Sequence, residues 1–295
     1  MIEYRLDNFY LFVREERLFC AALAHLLLQR GPNLGTFLQL VNAKLPTQDR
    51  ISAIQPDEAQ IYLEFSYLRD YWDTLAADND ANDAKRKFIF TILSRIPELE
   101  YLRSQDFPAS IPEFNGSFMG PRGFRVLNDI VYPGRWSVAA LKTLVFDNPE
   151  GRFAQLDPRQ RKTLFQTLCK FKWAFNIKPD MVLLFPDSPP ICVEAKLESR
   201  EGSYPSTKKE QLIFNDIFGP GQGRVGQLEL QRFMFQYHLA APCRSVVIGR
   251  APLQQPEEPS HVFLSWDEVF GSMDTSSSLA HVRRLLEQNE PLRKP

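Results

Sequence analysis

Three residues of this chain have the types and spacing to do chemistry together: Asp180, Glu194 and Lys196. Asp180 follows Pro179, residues 181–193 intervene, and Glu194-Ala195-Lys196 follows. Two carboxylates are hard oxygen donors of the kind Mg²⁺ takes, one or two at a time, together with waters and phosphate oxygens. An ion so held polarises a phosphodiester and makes water a nucleophile near neutral pH. An adjacent lysine, kept protonated by its acidic neighbours, orients that water or offsets charge developing in the transition state. The chemistry indicated is metal-assisted hydrolysis of a phosphodiester.

The elements that must position the trio are two β-rich runs, 177–185 and 191–197, joined by Pro186-Asp187-Ser188-Pro189-Pro190. Side chains alternate across a strand. Ile191, Val193, Ala195 and Leu197 therefore share a core face, and Cys192, Glu194, Lys196 and Glu198 the other. Antiparallel pairing about the turn sets Asp180 across from Lys196, with Glu194 one diagonal step away. The bland alternative is that these charges form the solvated face of a half-exposed hairpin, a surface ion-pair cluster of little energetic value.

Pro179-Asp180 followed by Glu194-Ala195-Lys196 on an apolar strand resembles the motif of the PD-(D/E)XK nuclease superfamily, from about Pro158 to Phe270. The resemblance implies a restriction-endonuclease-like α/β fold, a mixed central sheet flanked by helices. It implies Asp180, Glu194 and the Ala195 carbonyl as ligands of Mg²⁺ (or Mn²⁺), and Lys196 as the catalytic lysine. Related enzymes carry a Gln-xxx-Tyr pair on the helix after the motif. Here Gln227 has Gln231 at that spacing, so Gln227 is carried over and Gln231 departs from the pattern. Their first helix often adds an acid; Glu16, on a face with Phe12, Phe19 and Leu23, is the candidate over Glu15. The alternative for both glutamates is a favourable place at a helix N-terminus. The implied activity is cleavage of nucleic acid, DNA before RNA, with restriction or phage defence as setting and a homodimer or larger defence complex as assembly. The rival is a catalytically silent module that binds nucleic acid or protein.

The rest of the chain sets the frame. Its 295 residues are 44% hydrophobic and 24% charged, with 35 Lys+Arg against 36 Asp+Glu, which excludes wholesale disorder and a polycation. Cys20, Cys169, Cys192 and Cys243 are widely spaced without CxxC, which reads as reduced thiols in a cytoplasmic protein. No run approaches the roughly 20 apolar residues of a membrane span. His25, His238, His261 and His281 lack zinc-site spacing, Gly219-Pro220-Gly221-Gln222-Gly223 lacks the trailing Lys of a phosphate loop, and no Gly-x-Ser-x-Gly is present.

The periodicity predicts helices over 11–29, 34–44, 61–72, 84–96, 135–146, 158–172, 226–239 and 279–288, and further strands at 244–248 and 261–264. Asp157 and Pro158 form a helix start, and Ser265 caps a short helix to Phe270. Pro and Gly make 106–125 a long irregular segment, on which Arg122 and Arg125 are either phosphate contacts or part of a solvated loop. Arg159, Arg161, Lys162, Lys170, Lys172 and Lys178 either line a nucleic-acid groove or form a solvated helix face. Residues 1–157 are thus expected as a mostly helical N-terminal region, whose first helix can belong to the core, and 158–295 as the nuclease core.

Overall fold

The computed structural model describes residues 16–29, 32–51, 59–75, 81–100, 102–125, 128–147, 153, 155–197, 202–250, 261–276, 278–280 and 282–283. Two compact units interleave along the chain, one of residues 1–65, 178–201 and 241–295, the other of 66–177 and 202–240. The expected boundary at 157/158 falls inside the second unit. The fold is α/β, with a five-stranded mixed sheet.

The first unit carries that sheet. Its elements are α1 (Glu16–Leu28), α2 (Asn33–Lys44), β1 (Gln60–Leu63), β2 (Met181–Leu184) and β3 (Ile191–Ala195). After the second unit's elements, numbered in chain order, come β6 (Arg244–Gly249), β7 (Val262–Ser265) and α10 (Trp266–Gly271). The strand order is β1-β2-β3-β6-β7, antiparallel from β1 to β3 and parallel from β3 to β7. Ile191, Val193 and Ala195 share a core with Met181, Leu183, Ile248 and Leu264 of neighbouring strands, Phe19 and Leu23 of α1 and Phe37 of α2. The expected alternation holds on this face. Helix α10 begins where Ser265 Oγ accepts the Glu268 N–H at 3.0 Å and Glu268 caps back on the Ser265 N–H.

The second unit is mostly helical: α3 (Tyr67–Thr74), α4 (Ala81–Leu93), α5 (Ile111–Met119), α6 (Val138–Phe146), α7 (Pro158–Ala174), α8 (Lys208–Phe218) and α9 (Gln227–Phe233). A two-stranded ribbon of β4 (Ser203–Tyr204) and β5 (Val225–Gly226) completes it. Helix α7 starts on a reciprocal cap: Asp157 Oδ1 accepts the Gln160 N–H at 2.8 Å, and the Asp157 N–H donates to Gln160 Oε1 at 2.9 Å. Stacked aromatics fill the core, with Trp136 lying between Phe118 and Phe171.

Four local expectations change. The aromatic run 61–72 is not one helix: Gln60–Leu63 pairs with β2 as a strand, Glu64 turns the chain at φ 50°, and only then does α3 begin. Pairing to a neighbour, which periodicity cannot see, decides it. Segment 106–125 is not irregular, because Ser110 and Pro112 start α5 and a 3₁₀ stretch, Gly120–Arg125, follows. Residues 198–210 read from the sequence as a polar stretch, yet its last residues open α8, capped by Thr207 and stopped at Gly219 with φ 99°. Helix α9 is shorter than expected and passes into a π turn at Met234–His238.

Residues 11–15 of the expected first helix, Glu15 among them, and most of the expected helix 279–288 lie outside the described residues. All four cysteines are free thiols. Among the described residues no helix is long and apolar enough to cross a membrane.

Candidate active site

Asp180 sits immediately before β2, and its backbone is held from the β1 side. The Asp180 carbonyl accepts the Glu64 N–H at 3.0 Å, and the Pro179 carbonyl accepts the Phe65 N–H at 3.1 Å. Strands β2 and β3 pair Met181 with Val193, Val182 with Cys192 and Leu183 with Ile191. Continued by one residue, this register sets Asp180 opposite Glu194, not opposite Lys196 as expected. Pro189 and Pro190 have no N–H to give a ladder, so pairing closes at Ile191 and centres on Asp187, one residue before the middle of the turn, which shifts each partner by two. A slip of two leaves every side chain on its own face, so the trio stays together.

Beyond Val193 carboxylates take over on the β2 side, while the pairing with β6 runs on. The Ala195 N–H donates to Asp180 Oδ2 at 2.8 Å, the Lys196 N–H to the Ile248 carbonyl at 2.8 Å, and the Leu197 N–H to Glu16 Oε1 at 2.9 Å. The Lys196 carbonyl accepts the indole N–H of Trp266, a buried side chain of α10, at 3.0 Å. Two carboxylates from different elements thus clip the end of β3, and α1 brings Glu16 to it. Lys196 Nζ lies 2.5 Å from Glu194 Oε1.

The pair is not on a solvated face. Glu194 is 1% exposed and Lys196 8%, and all five residues of β3 are buried. Asp180 and Glu16 are half-buried, so the cluster meets solvent on their side. A buried carboxylate–ammonium pair costs desolvation that a surface pair does not.

The field around these groups is negative. Burial, with Glu16 and Glu64 nearby, holds the Asp180 carboxyl above the ordinary aspartate value, against the Ala195 N–H and Lys196. Burial pulls the Lys196 ammonium down, but Glu194, Glu16 and Asp180 outweigh it and hold the group above the ordinary lysine value. Burial pushes the Cys20 thiol of α1 up, and Asp180, Glu194, Glu16 and Glu64 push it further. Four carboxylates therefore act on one small region, with Lys196 as its buried cation. No family model, no curated protein and no solved structure matches the chain. The site rests on its own geometry.

The donor types here are those a hard cation takes. The donors are carboxylate oxygens, and an added positive charge would offset the burial, and after it the acidic neighbours, that hold Asp180 up. Asp180 and Glu16 each give one oxygen to a backbone N–H, and each carboxylate has two. Among the described residues no set of three or more His, Cys, Asp or Glu side chains is arranged to hold a metal, and Mg²⁺ does not need three.

Of the sequence candidates, Asp180, Glu194, Lys196 and Glu16 meet at the end of β3. Gln227 opens α9 in the second unit, half-buried, its N–H donating to the Gly202 carbonyl at 2.8 Å. Gln231 is fully buried. Sequence reasoning missed Glu64 and Trp266. Glu64 was hidden in the ambiguous aromatic run. Trp266 had a signal, the Ser265 cap, but nothing to say that its indole reaches the Lys196 carbonyl.

Proposed function

We propose that the chain is a divalent-metal-dependent nuclease hydrolysing phosphodiester bonds, with DNA as the first substrate to test. The observation that carries this is a buried Glu194–Lys196 pair whose flanking backbone is clipped by Asp180 and Glu16. A buried ionic pair beside two partly exposed acids is costly for stability alone, and groups so perturbed collect at functional sites. The strand order, antiparallel then parallel, and an acid on the first helix also accord with the restriction-endonuclease-like fold of the PD-(D/E)XK superfamily.

Asp180 and Glu194, with the Ala195 carbonyl, would hold Mg²⁺ or Mn²⁺, and Glu16 is placed to add an oxygen. Bound there, the ion supplies charge that polarises the phosphodiester and acidifies water. Lys196 is kept protonated at neutral pH by its carboxylate neighbours, so it acts as a donor and not as a base: it orients water and offsets charge gathering on phosphate oxygens. Asp180 fixes the Glu194–Ala195 peptide through the Ala195 N–H, and the Lys196 N–H bond to the Ile248 carbonyl orients the Ala195 carbonyl, which lies in the same peptide plane. Restriction or phage defence remains the setting suggested by the resemblance.

The second reading, a silent binding module, draws on Glu194 being 1% exposed. Cleavage separates the two. Plasmid DNA and single-stranded DNA and RNA oligonucleotides are incubated with Mg²⁺ or Mn²⁺ and wild type, Asp180→Ala or Lys196→Ala. The nuclease reading expects metal-dependent cleavage by wild type that falls at least about a hundredfold in either variant. No cleavage of any substrate by wild type favours the silent module, and cleavage that survives both substitutions places the chemistry elsewhere.

A further inference from the structure

A cleft of the second unit carries cations that have no neutralising partner among the described residues. Two adjoining cavities, of about 470 and 220 Å³, share Arg122, Ser137 and Lys209 in their walls. Arg135 lines the smaller one. Arg122 comes from the 3₁₀ stretch after α5, Arg135 from the turn before α6, and Lys209 from the first turn of α8. All three side chains are exposed, and none has an ion pair or side-chain hydrogen bond among the described residues. Glu210 is the carboxylate in these walls, and it faces Lys172 at 3.6 Å.

Arg86 lines another cavity, yet its guanidinium is consumed within the fold by the carbonyls of Ser104, Phe107 and Pro108. Arg122 and Arg135 have no such employment. The starts of α6 and α8, at Ser137 and Thr207, add the partial positive charge of helix N-termini to the same walls.

An aromatic ring stands beside these cations. Phe124 is 54% exposed, against a protein whose other phenylalanines are mostly core. Its ring lies on Gly116, which lines the larger cavity: a Cβ on Gly116 would come within 2.7 Å of Phe124 Cζ. Glycine at 116 thus lets the ring approach the backbone at the rim of the cleft. Exposed cations along a groove, with an exposed aromatic at its edge, match the two surfaces of an unpaired nucleic-acid strand, phosphates and base faces.

We infer that this cleft binds single-stranded nucleic acid, with Arg122, Arg135 and Lys209 on successive phosphates and Phe124 stacking on a base. Exposed, flexible cations suit a backbone held through counterion release more than a small phosphate ester enclosed in a pocket. This site is independent of the metal chemistry proposed above.

The test is fluorescence anisotropy of a labelled 20-nucleotide single strand with the full chain in EDTA, across a series of salt concentrations. Wild type is compared with the triple variant Arg122→Gln/Arg135→Gln/Lys209→Gln, with Phe124→Ala, and with Arg122→Lys/Arg135→Lys. The expected result is at least about a tenfold loss in the triple variant, with the slope of log K against log salt flatter by about 2, and little loss in the charge-keeping variant. Phe124→Ala should lose about fivefold or more, and that loss should vanish on a strand of abasic sites. Unchanged affinity and slope in a folded triple variant would overturn the proposal. So would complete displacement of the strand by millimolar inorganic phosphate, which would mark a small-anion site. No metal is present, so failure here leaves the nuclease reading standing, and absence of cleavage leaves this one standing.

Discussion

At the scale of single residues, the decisive fact is that Glu194 and Lys196 are buried together. The pair's worth lies in its completeness, because removing one partner strands the other's charge in a dry interior. Lys196→Met should therefore destabilise the protein by about 3–5 kcal/mol in urea unfolding, and adding Glu194→Gln should restore much of the loss. A single variant that costs less than about 1 kcal/mol would mean that water reaches Glu194 freely. The trio itself was legible: Pro-Asp before a strand and Glu-x-Lys on an alternating one point to a shared patch. Its burial was not, since alternation tells faces apart without telling what covers them.

At the scale of elements, local signals and pairing divide the work. The caps of α7 and α10 could be read from Asp157-Pro158 and Ser265, and so could the apolar run of α1. Helix α8 carried the same kind of signals, Thr207 before Glu210 and Gly219 at its end, inside a stretch that reads only as polar. The β2–β3 register could not be read, because a period of two is blind to a slip of two. Strand β1 is a strand because β2 is its neighbour, and no property of Gln60–Leu63 announces that. Two variants test how firmly these elements hold. Asp157→Ala should cost about 1 kcal/mol, read as a lower melting temperature. Trp266→Phe keeps the ring but leaves the buried Lys196 carbonyl without its indole donor, at about 1–3 kcal/mol. An unchanged melting temperature in either would show that the bond in question does not anchor its element.

At the scale of the whole molecule, the chain crosses four times between its units, an interleaving set by contacts between residues distant in sequence, which local sequence signals do not report. Titration of stability gives a global readout. His238 is fully enclosed among Phe171, Phe175 and Phe233, its Nε2 within 3.2 Å of the Phe171 carbonyl. Burial, with Arg95 nearby, pulls its pKa from 6.5 to about 3. The folded protein keeps this ring neutral while the unfolded chain protonates it. Its contribution is therefore fully present above about pH 6.5 and is lost as pH falls from there toward about 3. His238→Gln should flatten that part of the stability profile in equilibrium unfolding between pH 7 and 4. A slope identical to wild type would assign the acid sensitivity to other groups.

The claim beneath the nuclease reading is that the acids at the end of β3 grip one divalent ion. Electron paramagnetic resonance counts it directly, as the loss of the free Mn²⁺ signal on titration with protein. The expected result is one ion per chain for wild type, lost in Asp180→Asn and weakened at least about tenfold in Glu194→Gln, with both variants folded. Equal binding by Asp180→Asn, or none by wild type at millimolar Mn²⁺, would contradict it.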